Sequence, residues 1–241
     1  MAQIIKKQNE LGNKYALARG LFLLGLVIFF VGVVFAVLSF GSGRMVIGFV
    51  VGYAGLFFGI YMNKQARIYK AGISGESSTA ELVRQLPEDY FGVQNLKVTY
   101  DKKTSEIDLV VVGPAGVFIV ETKNQKGEVT GDAEGQNWVL LKIGRKGSPY
   151  TKTFYNPVKQ VGTHTYRLAN FLRQGGVQVR VESAVYFSNP ETTVLLTGTP
   201  KNARVFCAQT GGGEDLKVFL TGGGQRLSQQ QIQRVRQLLG C

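Results

Sequence analysis

An α/β domain preceded by a two-helix transmembrane hairpin is the architecture this sequence predicts, and three observations predict it. Two long uncharged runs lie near the N-terminus. From about residue 71 onward, short β-branched segments alternate with helical patterns. Within that part, one glycine-bounded hairpin carries an acid on each arm. The 241 residues are room for one domain of ordinary size plus an anchor.

The hairpin comes first. Leu21 to Phe40 is a run of twenty positions without a charge, and as a helix it would span about 30 Å, the thickness of a hydrocarbon core. Met45 to Met62 is a second run of eighteen. Neither has the polar face that a helix buried in a soluble core would show, and Gly41-Ser42-Gly43-Arg44 is a tight turn between them. A cleaved signal peptide is a poor fit: the first run is too long, and no small-residue cleavage site follows it. Lys6, Lys7, Lys14 and Arg19 precede the first span and Lys64, Arg67 and Lys70 follow the second, whereas the turn holds Arg44 alone. That asymmetry places both termini and the following domain on the cytoplasmic side of the cell (inner) membrane. The basic flanks would meet the anionic headgroups of the bilayer. The boundary falls between a 1–70 anchor region and a 71–241 domain.

Composition narrows the chemistry. The chain has 28 Lys and Arg against 16 Asp and Glu, a formal charge of +12. Eight of those basic residues and one of the acids lie before residue 71, so most of the excess belongs to membrane topology rather than to a polyanion footprint. The two cysteines, Cys207 and Cys241, exclude a disulfide framework and a four-thiolate zinc site. A single histidine, His164, excludes every mechanism that needs two, and there is no G-x-S-x-G elbow. Carboxylates, lysines and backbone remain.

Along the domain, Ser74 to Leu86 reads as a helix closed by Pro87, with Ser78 and Glu81 at capping-box spacing as a second possible start. Val93 to Tyr100 alternates as a strand. Ile107 to Val112 and Val117 to Val120 form a hairpin across Gly113-Pro114-Ala115-Gly116. Short strands follow around Glu128–Thr130 and Trp138–Ile143, with Trp138 as a packing residue. Asn156-Pro157 opens a helix as N-cap and first-turn proline, running to about Arg173. Val179 to Phe187, Ala203 to Ala208 and Lys217 to Leu220 read as strands, and the glycine triplet at 211–213 as a loop. Ser228 and Gln231 form a capping box for a last helix with Ile232, Val235, Leu238 and Leu239 on one face.

The informative stretch is Glu106 to Asn124. With a loop of two or four residues, Gly113 faces Gly116 and, five positions further back, Asp108 faces Glu121. The two acids then share one face at about 5 Å between Cβ atoms, and Lys123 shares it too. A three-residue loop would send Glu121 to the other face. Adjacent carboxylates repel unless a cation lies between them, and oxygen donors suit Mg²⁺ or Mn²⁺. Spacing leaves a second reading open, two solvated strand-end acids with surface pairs to Lys123.

The run EIDLVVVGPAGVFIVETKN, preceded by Gly72-Ile73-Ser74-Gly75-Glu76 and Leu86-Pro87 and followed by Trp138 and Asn156-Pro157-Val158-Lys159-Gln160, resembles the nuclease-related domain (NERD) of the PD-(D/E)XK nuclease superfamily. The resemblance covers roughly 72–190. It implies a restriction-endonuclease-like mixed sheet flanked by helices and metal-dependent phosphodiester cleavage. It also implies site roles: Asp108 and Glu121 as metal ligands, Lys123 as the residue orienting water and stabilising charge, Glu76 as the first-helix carboxylate, and Gln160 as the glutamine beside the site. Glu76 also fits a plain first-turn acid. Gln160, His164 and Arg167 stand at i, i+4 and i+7, a stripe that is either a solvated face or, for His164 and Arg167, a contact for nucleic acid.

Two functions follow. One is a membrane-anchored, Mg²⁺- or Mn²⁺-dependent nuclease of low sequence specificity, acting on DNA before RNA. The other is a non-catalytic membrane adaptor that uses the same fold to bind nucleic acid, lipid or protein. Oligomeric state is not encoded in any of these signals.

Overall fold

The computed structural model describes residues 1–7, 10–144, 147–222, 224 and 226–241. The chain divides into two compact units, Asn9–Ile73 and a larger one made of Met1–Gln8 with Ser74–Cys241.

The smaller unit is helical. Helix α1 runs Glu10–Leu38, and helix α2 starts at Arg44 and continues to Arg84. Both are long and apolar enough to cross a membrane. Their seam is built from small residues: Ala18, Gly25, Gly32 and Ala36 are the buried positions of α1, and Gly48, Gly52, Gly55 and Gly59 are buried on α2. A Cβ on Gly32 would lie 2.6 Å from the Gly52 backbone, and one on Gly25 would lie 2.6 Å from the Gly55 carbonyl. Small residues let helix backbones approach this closely, and the spacing of sevens on α1 against alternating fours and threes on α2 keeps the seam aligned. Leu, Val, Ile and Phe side chains point outward all round it.

The larger unit contains two sheets. Its six-stranded sheet has the order β1-β2-β3-β4-β8-β10, from β1 (Gln3–Lys6), β2 (Phe91–Tyr100), β3 (Lys103–Gly113), β4 (Gly116–Lys123), β8 (Val181–Phe187) and β10 (Arg204–Cys207). Strands β2, β3 and β4 are antiparallel neighbours. The pairs β1–β2, β4–β8 and β8–β10 are parallel, so the sheet is mixed. A four-stranded sheet of order β7-β6-β5-β9 uses β5 (Gly127–Asp132), β6 (Asn137–Ile143), β7 (Pro149–Tyr155) and β9 (Thr192–Thr197).

Period-two alternation gives the larger sheet two apolar faces. On one, Val110, Val112, Val117, Ile119 and Val185 pack with Val158, Val161, Leu168 and Leu172 of helix α3 (Pro157–Gln174) and with Ile232 and Val235 of helix α5 (Gln229–Leu238). On the other, Leu109, Val111, Phe118, Val120 and Ala184 pack with Val83 near the end of α2 and with Leu216 and Leu220 of helix α4 (Gly212–Thr221). Helices thus flank both faces. Trp138 is fully buried, lies 6.4 Å from the Phe187 ring in a stacked arrangement and donates to the Asp132 carbonyl.

Several sequence expectations are revised. The helix expected to begin near Ser74 has no start there, because α2 passes through unbroken. The Ser78 hydroxyl donates back to the Ser74 carbonyl and Glu81 pairs with Arg84, so the Ser78–Glu81 spacing makes no cap. Residues 217–220, read as a strand, are helical. Gly211 at φ +80° caps α4, Glu214 and Asp215 occupy its first turn, and Leu216 and Leu220 bury one face. The expected loop at 211–213 is therefore a helix entrance, where a Cβ on Gly212 would meet the Cys207 backbone at 2.5 Å. Strands β1, β7 and β9 carried no clear sequence signal. Strand β1 also moves the first residues out of the anchor region and into the larger unit.

Candidate functional site

The hairpin turn is Pro114-Ala115, with Gly113 paired to Gly116 and the ladder running back to Leu109 opposite Val120. Continued by one position, that register would set Asp108 opposite Glu121. The regular ladder stops there, and the Thr122 N–H donates to Asp108 Oδ2 at 2.9 Å. On the other side of β3, the neighbouring residue of β2 is Asn95 at φ +54°, left out of the regular pairing between Gln94 and Leu96. Asp108 thus sits where the sheet opens towards both neighbours.

Alternation places Glu121 and Lys123 on the face covered by α3. Asn156 caps that helix by accepting from the Val158 N–H, and its amide donates to the Ala133 and Gly135 carbonyls. The cap fixes where the first turns of α3 lie, and so where Gln160 and His164 point. Lys123 Nζ donates to Glu121 Oε1 at 2.7 Å and to Gln160 Oε1 at 3.0 Å. Glu121 is 2% exposed. Its second oxygen, Oε2, is buried with no hydrogen-bond partner and lies 3.7 Å from His164 Nε2.

Electrostatics mark the same residues. Burial, and then the Glu121 charge, push the Asp108 carboxyl up to about 7, against the pull of the Thr122 N–H and Lys123. Burial also raises Glu121, although Lys123 and Gln160 favour its ionised form. Glu76 is raised by burial and by Asp108. Burial, then Arg167 and Lys123, hold the His164 ring neutral down to about 4. Two buried acids that repel each other gain from a nearby cation.

The donor chemistry fits a divalent cation. Glu121 Oε2 is an unsatisfied carboxylate oxygen, and hard oxygen donors suit Mg²⁺ or Mn²⁺. Among the described residues, no three His, Cys, Asp or Glu side chains form a ready-made metal cage; the acids come as the pair Asp108 and Glu121.

The residues singled out in the sequence are placed unequally. Glu121, Lys123 and Gln160 come together under α3, and Asp108 stands beside them on β3, held by the Thr122 N–H. Glu76, on α2, reaches the site through the field of Asp108 and a hydrogen bond from the Asn95 side chain, and it makes no hydrogen bond to Lys123 or Glu121 among those described. His164 does not lie on a solvated face. It is 9% exposed and turned to Glu121, because the stripe that continues Gln160 faces the sheet. Arg167 hydrogen-bonds the Ser105 hydroxyl and the Thr104 carbonyl on β3. Sequence reasoning missed Asn95, whose left-handed backbone has no pattern signal beyond the tolerance of asparagine for that region.

Comparison with known proteins points to the same segment. The model of the nuclease-related domain family matches residues 71–188. An uncharacterized protein of Bacillus anthracis is 33% identical over 92 residues, 37% of this chain and 43% of that protein. A protein described as the probable kinase PglW of Streptomyces coelicolor is 35% identical over 98 residues, 40% of this chain and 6% of that protein. The chain therefore spans less than half the length of either relative. No solved structure matches it.

Proposed function

Residues 71–188 belong to the nuclease-related domain family, and from that premise we propose that the chain is a membrane-anchored, divalent-metal-dependent nuclease. The observation that carries the reading is the line Gln160–Lys123–Glu121, ending on a buried carboxylate and set beside Asp108 where the regular ladder stops. A solvated pair of strand-end acids would not be buried, mutually repelling and tied to a lysine held from a separate helix.

Asp108 and Glu121 would hold Mg²⁺ or Mn²⁺, Glu121 through the Oε2 that Lys123 leaves free. When bound, the ion supplies Lewis-acid polarisation of a phosphate oxygen and a hydroxide nucleophile at neutral pH. Lys123 places its ammonium where negative charge develops on the phosphate, and Gln160 fixes that ammonium from α3. Glu76 adds negative charge behind Asp108. Arg167 and scattered basic residues hold the backbone of the nucleic acid, DNA before RNA, so affinity is electrostatic and sequence preference weak.

Membrane anchoring rests on the two long apolar helices. Strand β1 precedes α1 and pairs with β2, which follows α2. That pairing supports a hairpin whose two ends lie on one side of the bilayer. The basic flanks make that side the cytoplasm. A Gly43→Cys variant should label from outside intact cells while Cys207 does not; the reverse pattern overturns the orientation.

The activity test uses the full chain in detergent or nanodiscs, since a cut at residue 71 would remove β1. Supercoiled plasmid should be nicked with Mg²⁺ or Mn²⁺ and left intact by Asp108→Ala, with a loss of about 10³-fold or more. Binding of DNA without cleavage in either ion would favour the adaptor. Cleavage by Asp108→Ala at the parent rate would overturn the mechanism.

A further inference from the structure

On the reading of Asp108 and Glu121 as a metal site, we propose that His164 is a further donor to that site and that its imidazole tilts the site towards Mn²⁺ over Mg²⁺. Both ring nitrogens of His164 are buried and neither has a hydrogen-bond partner among the described residues. That is unusual, because a buried imidazole normally donates from one nitrogen and accepts at the other. Nε2 lies 3.7 Å from another orphan, Glu121 Oε2.

A separation of 3.7 Å is too long for a hydrogen bond. It suits two ligands of one ion. With metal–ligand bonds of about 2.1 Å, two donors stand about 3.0 Å apart at a right angle and about 3.6 Å apart at 120°. Glu121 then belongs to two pairs, one with Asp108 and one with His164, and an ion at its free oxygen would give both Glu121 Oε2 and His164 Nε2 a partner. The position of His164 is fixed by its helix, one turn beyond Gln160, with the ring shielded from solvent.

Selectivity follows from ligand type. Mg²⁺ keeps oxygen ligands and water, whereas first-row transition ions accept imidazole nitrogen. Mn²⁺ is the member of that series that also favours carboxylates. A site in which an imidazole stands beside the carboxylate is therefore weighted towards Mn²⁺.

His164 is the one histidine in the chain, which makes the test specific. Tag-free full-length protein in detergent is loaded with Mn²⁺ and examined by electron spin echo envelope modulation for imidazole ¹⁴N coupling. Coupling is expected in the parent and absent in His164→Gln. By titration, that variant should lose about tenfold in Mn²⁺ affinity with little change for Mg²⁺. Stoichiometric Mn²⁺ binding without nitrogen coupling in the parent would overturn the role of His164 and leave the acidic site standing. Coupling that persists in His164→Gln would overturn it as well. Failure of the parent to bind Mn²⁺ at all would overturn both this inference and the metal site beneath it.

Discussion

The hairpin and the mixed-sheet unit bury opposite kinds of residue. Between α1 and α2 the buried positions are glycine and alanine, and the large apolar side chains face outward. In the other unit the large apolar side chains are inside, and at one point so is the carboxylate of Glu121, paired with Lys123. The difference teaches what each surrounding rewards. Where lipid is as apolar as leucine, burying leucine gains nothing and close backbone approach holds helices together. Where the surrounding is water, apolar burial drives the fold. Charge is then enclosed only at a cost, and Glu121 bears that cost with Lys123 as its counter-ion.

The contrast can be broken at either end. The largest expected effect is on the enclosed charge: Lys123→Ala should lower turnover by about 10²-fold or more while Mn²⁺ affinity stays within a factor of about three. Single-turnover cleavage beside metal titration checks the split, and an equal loss in both would make Lys123 a structural counter-ion.

Next comes the seam. Gly32→Leu puts a side chain where even a Cβ lies 2.6 Å from the Gly52 backbone, costing the hairpin about 1–3 kcal/mol. Gly20→Leu is the control, because nothing lies within 4 Å of its Cβ position. Cysteines replacing Phe29 and Tyr53, whose rings are 6.0 Å apart, should cross-link readily in the Gly20→Leu background and slowly in Gly32→Leu. Equal cross-linking would show that the seam does not depend on close approach.

The smallest effect is on pH and metal-free stability. The Asp108 carboxyl is raised from 3.8 to about 7. The folded chain therefore keeps a proton that the unfolded chain releases. The stability tied to Asp108 is full below about pH 4 and is lost as pH rises through 7. His164, lowered from 6.5 to about 4, works in the opposite sense: its contribution is present above 6.5 and lost as pH falls towards 4. Comparing parent with Asp108→Asn separates them. The variant should melt roughly 2–4 °C higher above pH 7, about 1 kcal/mol, and the gain should vanish near pH 4. A gain that does not change with pH would assign the effect to packing.

Much of this was legible because local patterns and tertiary structure agree. Gly113 to Gly116 reads as a turn and is one, with the two glycines paired and the ladder running back to Leu109 opposite Val120. Asn156-Pro157 and the Ser228 box announce helices by capping chemistry that is local. The illegible parts depend on distant partners. Strand β7 is almost wholly exposed and carries no alternation. Helix α4 contains Lys217-Val218-Phe219-Leu220, good strand residues overruled by the burial of Leu216 and Leu220. His164 reads as part of a polar stripe, and a polar stripe reads as solvent-facing until a buried carboxylate is found beneath it.

Strand β1 has a consequence for how the molecule is made. Gln3 pairs with Phe91, and both apolar helices lie between them in the chain. The first strand leaves the ribosome before any of its sheet exists. At about 5–20 residues per second it waits seconds for β2 to appear. This non-local pairing is the slow kind of contact, and until it forms the β2 side of the sheet is an open edge that another chain can join. Both long helices must therefore be made, and the chain on either side of them brought back together, before the last sheet contact can close.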